Sequence, residues 1–483
     1  MKKSFVKIVG LFTFCIVLVM SCGKSNDDSS RVNSLTSSAD MNNLFIRIPQ
    51  GYLTKSFIKE YGFNRDSKYD DEFAFGYIKR KNFERLSQDV LEDVVVLDET
   101  VLKHHKYNAK TLAILPSKST LIGDNYYDDY HNYEQLKAKL EEVAQQNPAL
   151  VSLNSAGRSI QGRELFYVKV SDNAFVDESE PNLLYIANMH GDETVGRELM
   201  IFLLDYLIEG YKAGDQRIKN IVDNAQVFIM PSMNPDGFEN NSRENANDDD
   251  LNRDFPDFTS NPNDDTAGKA KETASVMDLH KKYLFHSALS FHGGSAVFNI
   301  PWDTKSNKNA QDKFGDDPVM YAMGREYAES NSSMIHGGFN GGLTYGYEWY
   351  EVDGGMQDWA CYYRDSIHAT VELSEVKWPP AADLEEYWTE NKDALVKYLE
   401  RGIRGIHLEV VDQSGNPIDN PVVTHSTTRR DIVFKSNQIH RVTVAGKQKV
   451  TVKAQGYETA TFEINAAEFR GQFTKVVMKK QSY

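Results

Sequence analysis

Cysteine is scarce in this chain: Cys15, Cys22 and Cys361 are the three it holds. Two of them fall in a leading segment that reads as removable or modified, so Cys361 has no intrachain partner. That excludes a disulfide framework and leaves the core alone to stabilise the fold. Positive charge is also in deficit. A net charge of -16 excludes the basic footprint of a nucleic-acid binder. The negative field favours cationic partners only weakly, because net charge speaks mainly to solubility. Long apolar runs are missing too. Ile8 to Met20 is too short to span a bilayer comfortably. No internal repeat is visible, and there is no low-complexity tract beyond one tether. With 40% hydrophobic and 26% charged residues the composition is that of soluble globular protein. The length implies two to four domains.

Lys2, Lys3 and Lys7 precede the short apolar run, so residues 1–22 read as a signal peptide. Val19-Met20-Ser21-Cys22 resembles a bacterial lipoprotein signal, although Met20 departs from its usual small residue. That reading places a lipid anchor on Cys22; its competitor is an ordinary signal peptide with an incidental cysteine. Residues 23–41, rich in Ser, Asp and Asn, form a flexible tether. Asp27-Asp28 within it resembles export signals of surface-displayed lipoproteins. The expected location is the outer membrane or cell surface, with the periplasmic side as the alternative.

Residues 42–103 read as a small α/β module. Leu44–Ile48, Phe73–Ile78 and Val94–Leu97 have strand composition, with amphipathic stretches at Ser56–Tyr61 and Lys81–Leu91. A packing or docking role suits it best, and an autoinhibitory one is the minority reading. A linker follows. The main domain, residues 124–401, opens with Leu136, Leu140 and Val143 at helical spacing, stopped by Asn147-Pro148. Leu183–Ala187, Val227–Met230, Ala288–Phe291 and Ala369–Leu373 are strand candidates, and Val195–Leu207 reads as a buried helix. Alternating strands and helices argue an α/β layer fold, with chemistry just after strand ends. From residue 402 to 483 the pattern changes. Ile406, Leu408 and Val410, then Val450 and Val452, then Phe462 and Ile464 alternate with polar residues, as in a small antiparallel β-sandwich.

His190 and Glu193 lie three apart, just after a strand and entering a helix, where a turn can aim both at one ion. His292 ends another strand and is followed by Gly293-Gly294. Two imidazoles and one carboxylate, with a fourth position left to water, describe a catalytic zinc site rather than a structural one. For His280, His286, His336 and His368 a hydrogen-bonded core residue is the better reading. Such a site needs a base, and Glu372, inside the apolar run Ala369–Leu373, is the candidate because a carboxylate there is costly without a purpose. The aspartates at 248–250 read as a solvated loop.

Gly157–Leu165, Asn188–Glu193, Asn234-Pro235-Asp236-Gly237, Asp250–Pro256, Phe291–Gly294 and Thr370–Leu373, in this order, resemble the funnelin-type zinc metallocarboxypeptidases. Gly354-Gly355-Met356-Gln357-Asp358 and the β tail are most similar to the regulatory, carboxypeptidase N/E-like branch, in which a transthyretin-like sandwich follows the catalytic domain. The resemblance covers roughly residues 126–480 and omits the N-terminal module. It implies an α/β class: a mixed-sheet zinc carboxypeptidase domain, preceded by a small α/β module and followed by a small all-β sandwich. It also implies that His190, Glu193 and His292 hold one Zn2+ and that Glu372 is general base and proton shuttle. By the same match Arg243 stabilises the oxyanion, while Asn252 and Arg253 grip the substrate's terminal carboxylate. Asp303 and Gln357 match positions that receive a Lys or Arg side chain. The family's active-site tyrosine, counted from Asp358 and Glu372, falls on Cys361, with Tyr362 next door as its substitute.

The expected activity is release of single C-terminal residues, Lys or Arg, from extracytoplasmic peptides or proteins by a monomer. Two rivals stand beside it. One is a cell-wall peptide amidase or carboxypeptidase using the same zinc site. The other is a peptide-binding lipoprotein on an impaired catalytic frame, motivated by Cys361.

Overall fold

The computed structural model describes residues 43–68, 73–83, 85–87, 90–91, 94–96, 129–260, 263–304, 316–425, 432–434, 436–468 and 472–481. The signal peptide, Cys22, the tether and the linker expectations lie outside the described residues. Among the described residues no helix is long and apolar enough to cross a membrane.

The first unit is a four-stranded antiparallel sheet. Its strands are β1 (Asn43–Pro49), β2 (Asn64–Lys68), β3 (Phe73–Lys79) and β4 (Val95–Val96), in the order β2-β3-β1-β4. Helix α1 (Lys55–Tyr61) starts where Thr54 Oγ1 accepts the Phe57 amide and stops at Gly62, whose φ of 60° suits a left-handed cap. Ile46, Ile48, Phe63, Ile78 and Leu86 form the core. Within the amphipathic stretch Lys81–Leu91 a short helix spans Arg80–Phe83, and Arg85 and Leu86 then turn back by three-residue bonds to Asn82 and Phe83.

The main sheet has eight strands: β5 (Val151–Arg158), β6 (Glu164–Val170), β7 (Asn182–Ala187), β8 (Gln226–Met230), β9 (Phe285–His292), β10 (Ser295–Ile300), β11 (Leu343–Tyr345) and β12 (Ile367–Ser374). Their order is β11-β10-β12-β9-β7-β8-β6-β5. The four central strands, β12, β9, β7 and β8, run parallel, and antiparallel strands flank them on both sides. Strand β7 is buried along its whole length because both faces are covered. Leu183, Tyr185 and Ala187 face one apolar layer, with helices α3 (Val195–Ala213) and α7 (Leu384–Gly402); Leu184 and Ile186 face the other, with α4 (Lys271–Lys282) and α6 (Met356–Arg364). Helix α2 (Tyr133–Gln146) covers the first layer near the antiparallel edge. It opens with a capping box: the Asn132 side chain accepts the Gln135 amide at 2.9 Å and the Gln135 side chain accepts the Asn132 amide at 2.8 Å. Helix α5 (Asp317–Glu329) packs beside β10 and α7.

The tail folds as β13 (Arg404–Asp412), β14 (Val422–His425), β15 (Ile432–Val433), β16 (Gln438–Val442), β17 (Gly446–Lys453), β18 (Ala460–Glu468) and β19 (Thr474–Met478). Strand β18 pairs with β17 over most of its length and with β13 at its end, so the sheet folds over on itself. Ile406, Leu408, Val410, Val450 and Val452 are its core, as their alternation predicts. The antiparallel expectation fails at one pair: β19 runs parallel to β13, with Leu408 opposite Thr474.

This tail meets the main domain through buried histidines. His440 Nδ1 lies 2.9 Å from His407 Nδ1, and its Nε2 lies 2.9 Å from the Gly402 carbonyl. His286 of β9 packs 5.1 Å from the His440 ring, and Arg441 pairs with Asp316. Burial pushes His286 down to about 3 and His425 to about 4, and holds His440 well below its ordinary value. Unfolded, these rings titrate near 6.5. Below that pH the unfolded chain binds more protons than the folded one, so stability is full above about 6.5 and falls toward about 4. We expect the Tm, measured in chelator, to drop between pH 7 and pH 4.5, and His286→Asn to flatten the drop. An unchanged slope in the variant would show that His286 is not held neutral.

Candidate metal centre

Three adjacent parallel strands deliver the chemical residues to one place. After β7, Asn188 takes a φ of 57°. Its amide nitrogen donates to the carbonyls of His190, Gly191 and Glu193 at 3.0, 3.1 and 3.2 Å, and its oxygen accepts Ser232 at 2.7 Å. This knot closes the turn that aims His190 and Glu193 at the same point. Gly191 is required by contact, since a Cβ there would sit 2.0 Å from the Gly237 carbonyl carbon. His292 ends β9, the neighbour of β7, and Glu372 of β12 stands opposite His292 in register.

Glu193 Oε2 lies 2.8 Å from His190 Nδ1 and 2.8 Å from His292 Nδ1, and the two imidazole nitrogens are 3.0 Å apart. All three side chains are buried. Burial lowers His292 to about 4, against the pull of Glu193, so its ring is neutral near pH 7 and offers a lone pair. For Glu193 burial acts upward, but His190 and Lys377 outweigh it and hold the carboxyl well below the usual range. Two imidazole nitrogens and an ionised carboxylate oxygen meeting in a buried space is a donor set that fits a zinc ion.

Arg243 stands over this set. Its Nη1 is 3.0 Å from His190 Nδ1 and 3.3 Å from Glu193 Oε1, and its Nε donates to Asp250 Oδ2 at 3.1 Å. Asp250 Oδ1 also reaches His190 Nε2 at 3.3 Å. Burial works to raise Asp250, yet Arg243, Arg253 and His190 hold it well below the usual carboxylate range. Asp250 is therefore not a solvated loop charge, as its run of aspartates suggested, but the group that braces His190 and Arg243. Carboxylate support of this kind fixes ring orientation at metal sites.

The remaining expected residues occupy the surroundings. The Asn252 side-chain oxygen accepts the Met356 amide at 3.0 Å, and Arg253, exposed, donates to the Asn252 carbonyl at 2.9 Å. Asp303 is buried and accepts the Asn299 amide at 2.8 Å; Gln357, also buried, and Arg253 lie close enough to act on its charge. Burial raises Asp303 to about 6. Cys361 is fully buried and its thiol donates to the His368 carbonyl, as befits a small apolar residue. Tyr362 projects to the surface and stacks on Phe258 at 4.4 Å, with Trp302 beside them. The phenol that falls within the field of Arg243 is that of Tyr350, packed 4.9 Å from Trp349. The sequence reading does not include it. Of the four histidines assigned to the core, His280, His286 and His368 are buried or bonded as expected, to Val276, Asn182 and Ser290. His336 departs from that reading and is exposed.

A zinc carboxypeptidase family model matches residues 136–394, which include every residue named at this centre. The chain belongs to the zinc carboxypeptidases. Carboxypeptidase M of Mus musculus is 34% identical over 354 residues, covering 68% of this chain and 79% of the relative. The carboxypeptidase N catalytic chain of Homo sapiens is 31% identical over 383 residues, covering 70% and 84%. Carboxypeptidase D of Anas platyrhynchos is 35% identical over 364 residues, covering 70% of this chain and 26% of the relative. The chain thus spans about a quarter of the length of that relative. These are members of the regulatory branch that the sequence motifs indicate. Among solved structures, carboxypeptidase A from Helicoverpa armigera superposes with a TM-score of 0.55 at 16% identity, covering 75% of this chain and 98% of that one. The thrombin-activatable fibrinolysis inhibitor gives 0.55 at 16%, covering 74% and 98%. At those identities the likeness speaks to the fold alone, and the mixed sheet is that of the carboxypeptidases.

Proposed function

We propose that this zinc carboxypeptidase family member is an active metallocarboxypeptidase that removes C-terminal Lys or Arg from extracytoplasmic peptides. The observation that supports this reading most is the meeting of His190, Glu193 and His292 one strand away from the buried Glu372. A zinc ion held by those three would act as a Lewis acid on the scissile carbonyl and make a water acidic enough to attack. Glu372 takes the proton of that water and passes it to the leaving amine. Arg243 donates to the oxyanion that develops, from a side chain already pinned by Asp250. Asn252 and Arg253 hold the substrate's terminal carboxylate, for which a guanidinium is the natural bidentate partner. Tyr350, within the field of Arg243, takes the substrate-facing role that the family resemblance gives to a tyrosine, and Tyr362 belongs to the rim.

Asp303, with Gln357, receives the cationic side chain. A carboxyl near 6 is mostly neutral at pH 5 and mostly ionised at pH 7. We expect KM for a Lys-terminated peptide to be about tenfold higher at pH 5 than at pH 7, following the ionised fraction. A Leu-terminated peptide and the Asp303→Asn variant should lack that rise; a rise shared by both would place the titration elsewhere.

Residues 1–22 as a lipoprotein signal, Cys22 as the anchor and residues 402–483 as a transthyretin-like domain are supported by sequence pattern, and by the β architecture in the last case. Release of C-terminal residues from peptides ending in Lys, Arg, Leu, Phe or Glu, with and without chelator, tests the activity. Chelator-sensitive release of Lys and Arg is expected. Release of other residues alone would overturn the specificity, and no release by zinc-loaded protein would overturn the activity.

A further inference from the structure

One buried cation at this centre has no part in the scheme above. Lys377 follows β12 and its side chain is 3% exposed. Its Nζ lies 3.2 Å from Glu193 Oε1 and 3.7 Å from Asp192 Oδ2. A buried ammonium is expensive unless paired, and here it is set between two carboxylates. The backbone fixes it there. The Lys377 carbonyl accepts the Thr194 amide at 3.0 Å, directly after Glu193. The Ser374 hydroxyl donates to the Val376 carbonyl at 2.7 Å, and the Gly294 amide donates to the Ser374 carbonyl at 2.7 Å. The loop bearing Lys377 is thus bonded to the turns bearing both Glu193 and His292.

The two oxygens of Glu193 have separate company. Oε2 faces the imidazole nitrogens at 2.8 Å each, while Oε1 faces Lys377 and Arg243. We propose that Lys377 is a positioning residue for Glu193: its ammonium, beside the Arg243 guanidinium, holds the outer carboxylate oxygen and turns the inner one to the metal position. The proposal rests on the zinc-site reading.

The test measures zinc Kd by competition with a chromophoric chelator, together with kcat and KM, for Lys377→Met and Lys377→Arg. The Tm in excess chelator reports folding apart from metal. We expect Lys377→Met to weaken zinc binding about 10- to 100-fold, the range found for partners of metal ligands. It should lower kcat at least about tenfold while KM, set by Asn252, Arg253 and Asp303, stays within about threefold. Lys377→Arg should recover most of both. Zinc binding that is unchanged or tighter in Lys377→Met overturns the proposal, whatever happens to kcat. If Lys377→Met does not fold, Lys377→Arg decides: near wild-type zinc Kd and kcat support it, and loss of both in a folded protein overturns it. Wild-type protein whose zinc binding ignores His292→Ala overturns the metal-centre reading itself, which separates the two failures.

Discussion

Glu372→Gln is expected to bind zinc as the wild type does and to turn over at about one-thousandth of its rate or less. The magnitude follows from what a positioned base contributes, about 10²- to 10⁴-fold. The substitution changes little else. Glu372 sits in β12 with its backbone paired on one side to His292 of β9 and on the other to Val297 of β10, so the side chain is delivered from a fixed strand. Gln has the same shape and cannot accept a proton. Glu372 is also outside the three-residue donor set, so metal content should not move. Burying a neutral amide in place of a carboxylate does not threaten the fold, and Tm should hold or rise. The measurement is kcat beside zinc stoichiometry on the same preparation. Turnover within tenfold of wild type, with zinc bound, would remove Glu372 as the base and with it the proton path proposed above.

What could be read from the sequence is what is local to a segment. The apolar runs around Leu183, Val227, Ala288 and Ala369 are the four central parallel strands, because a strand covered on both faces has no polar face to show. Strand β10, Ser295–Ile300, directly after Gly293-Gly294, is absent from the sequence reading. At the site, His190, Glu193, His292 and Glu372 carry motif signals at their own strand ends. Lys377 does not, and Asp250, although it opens the segment Asp250–Pro256, reads there as one of three loop aspartates. Each acts on a residue far away in sequence, Asp250 on His190 and Lys377 on Glu193, so nothing adjacent to them announces the partner.

His292→Ala is expected to abolish zinc-dependent stabilisation while leaving the metal-free fold nearly intact. A ligand that binds only the folded state stabilises it by RT ln(1 + [L]/Kd), about 4 kcal/mol at a thousandfold excess over Kd. For a domain of this size that is a rise in Tm of about 7 °C on adding zinc to wild-type protein held in weak chelator. Removing one of three donors should weaken binding about a thousandfold, equivalent to about 4 kcal/mol, which erases the rise at the same free zinc. The metal-free comparison isolates the effect. His292 Nε2 is buried without a hydrogen-bond partner among the described residues, so truncation removes the Nδ1 contacts to Glu193 and His190 and leaves a small void, while Glu193 keeps His190, Arg243 and Lys377. One alternative keeps the experiment decisive. Asp172, Glu178 and Glu180 also bring carboxylate oxygens within 4.8 Å of one another, although Asp172 is exposed there. If zinc stabilises His292→Ala as much as wild type, the ion binds at a place such as that one, and the three-ligand centre loses its claim to it. If the rise vanishes in His292→Ala and survives in Asp172→Asn, the stabilising zinc is held where β7 and β9 end, next to Glu372.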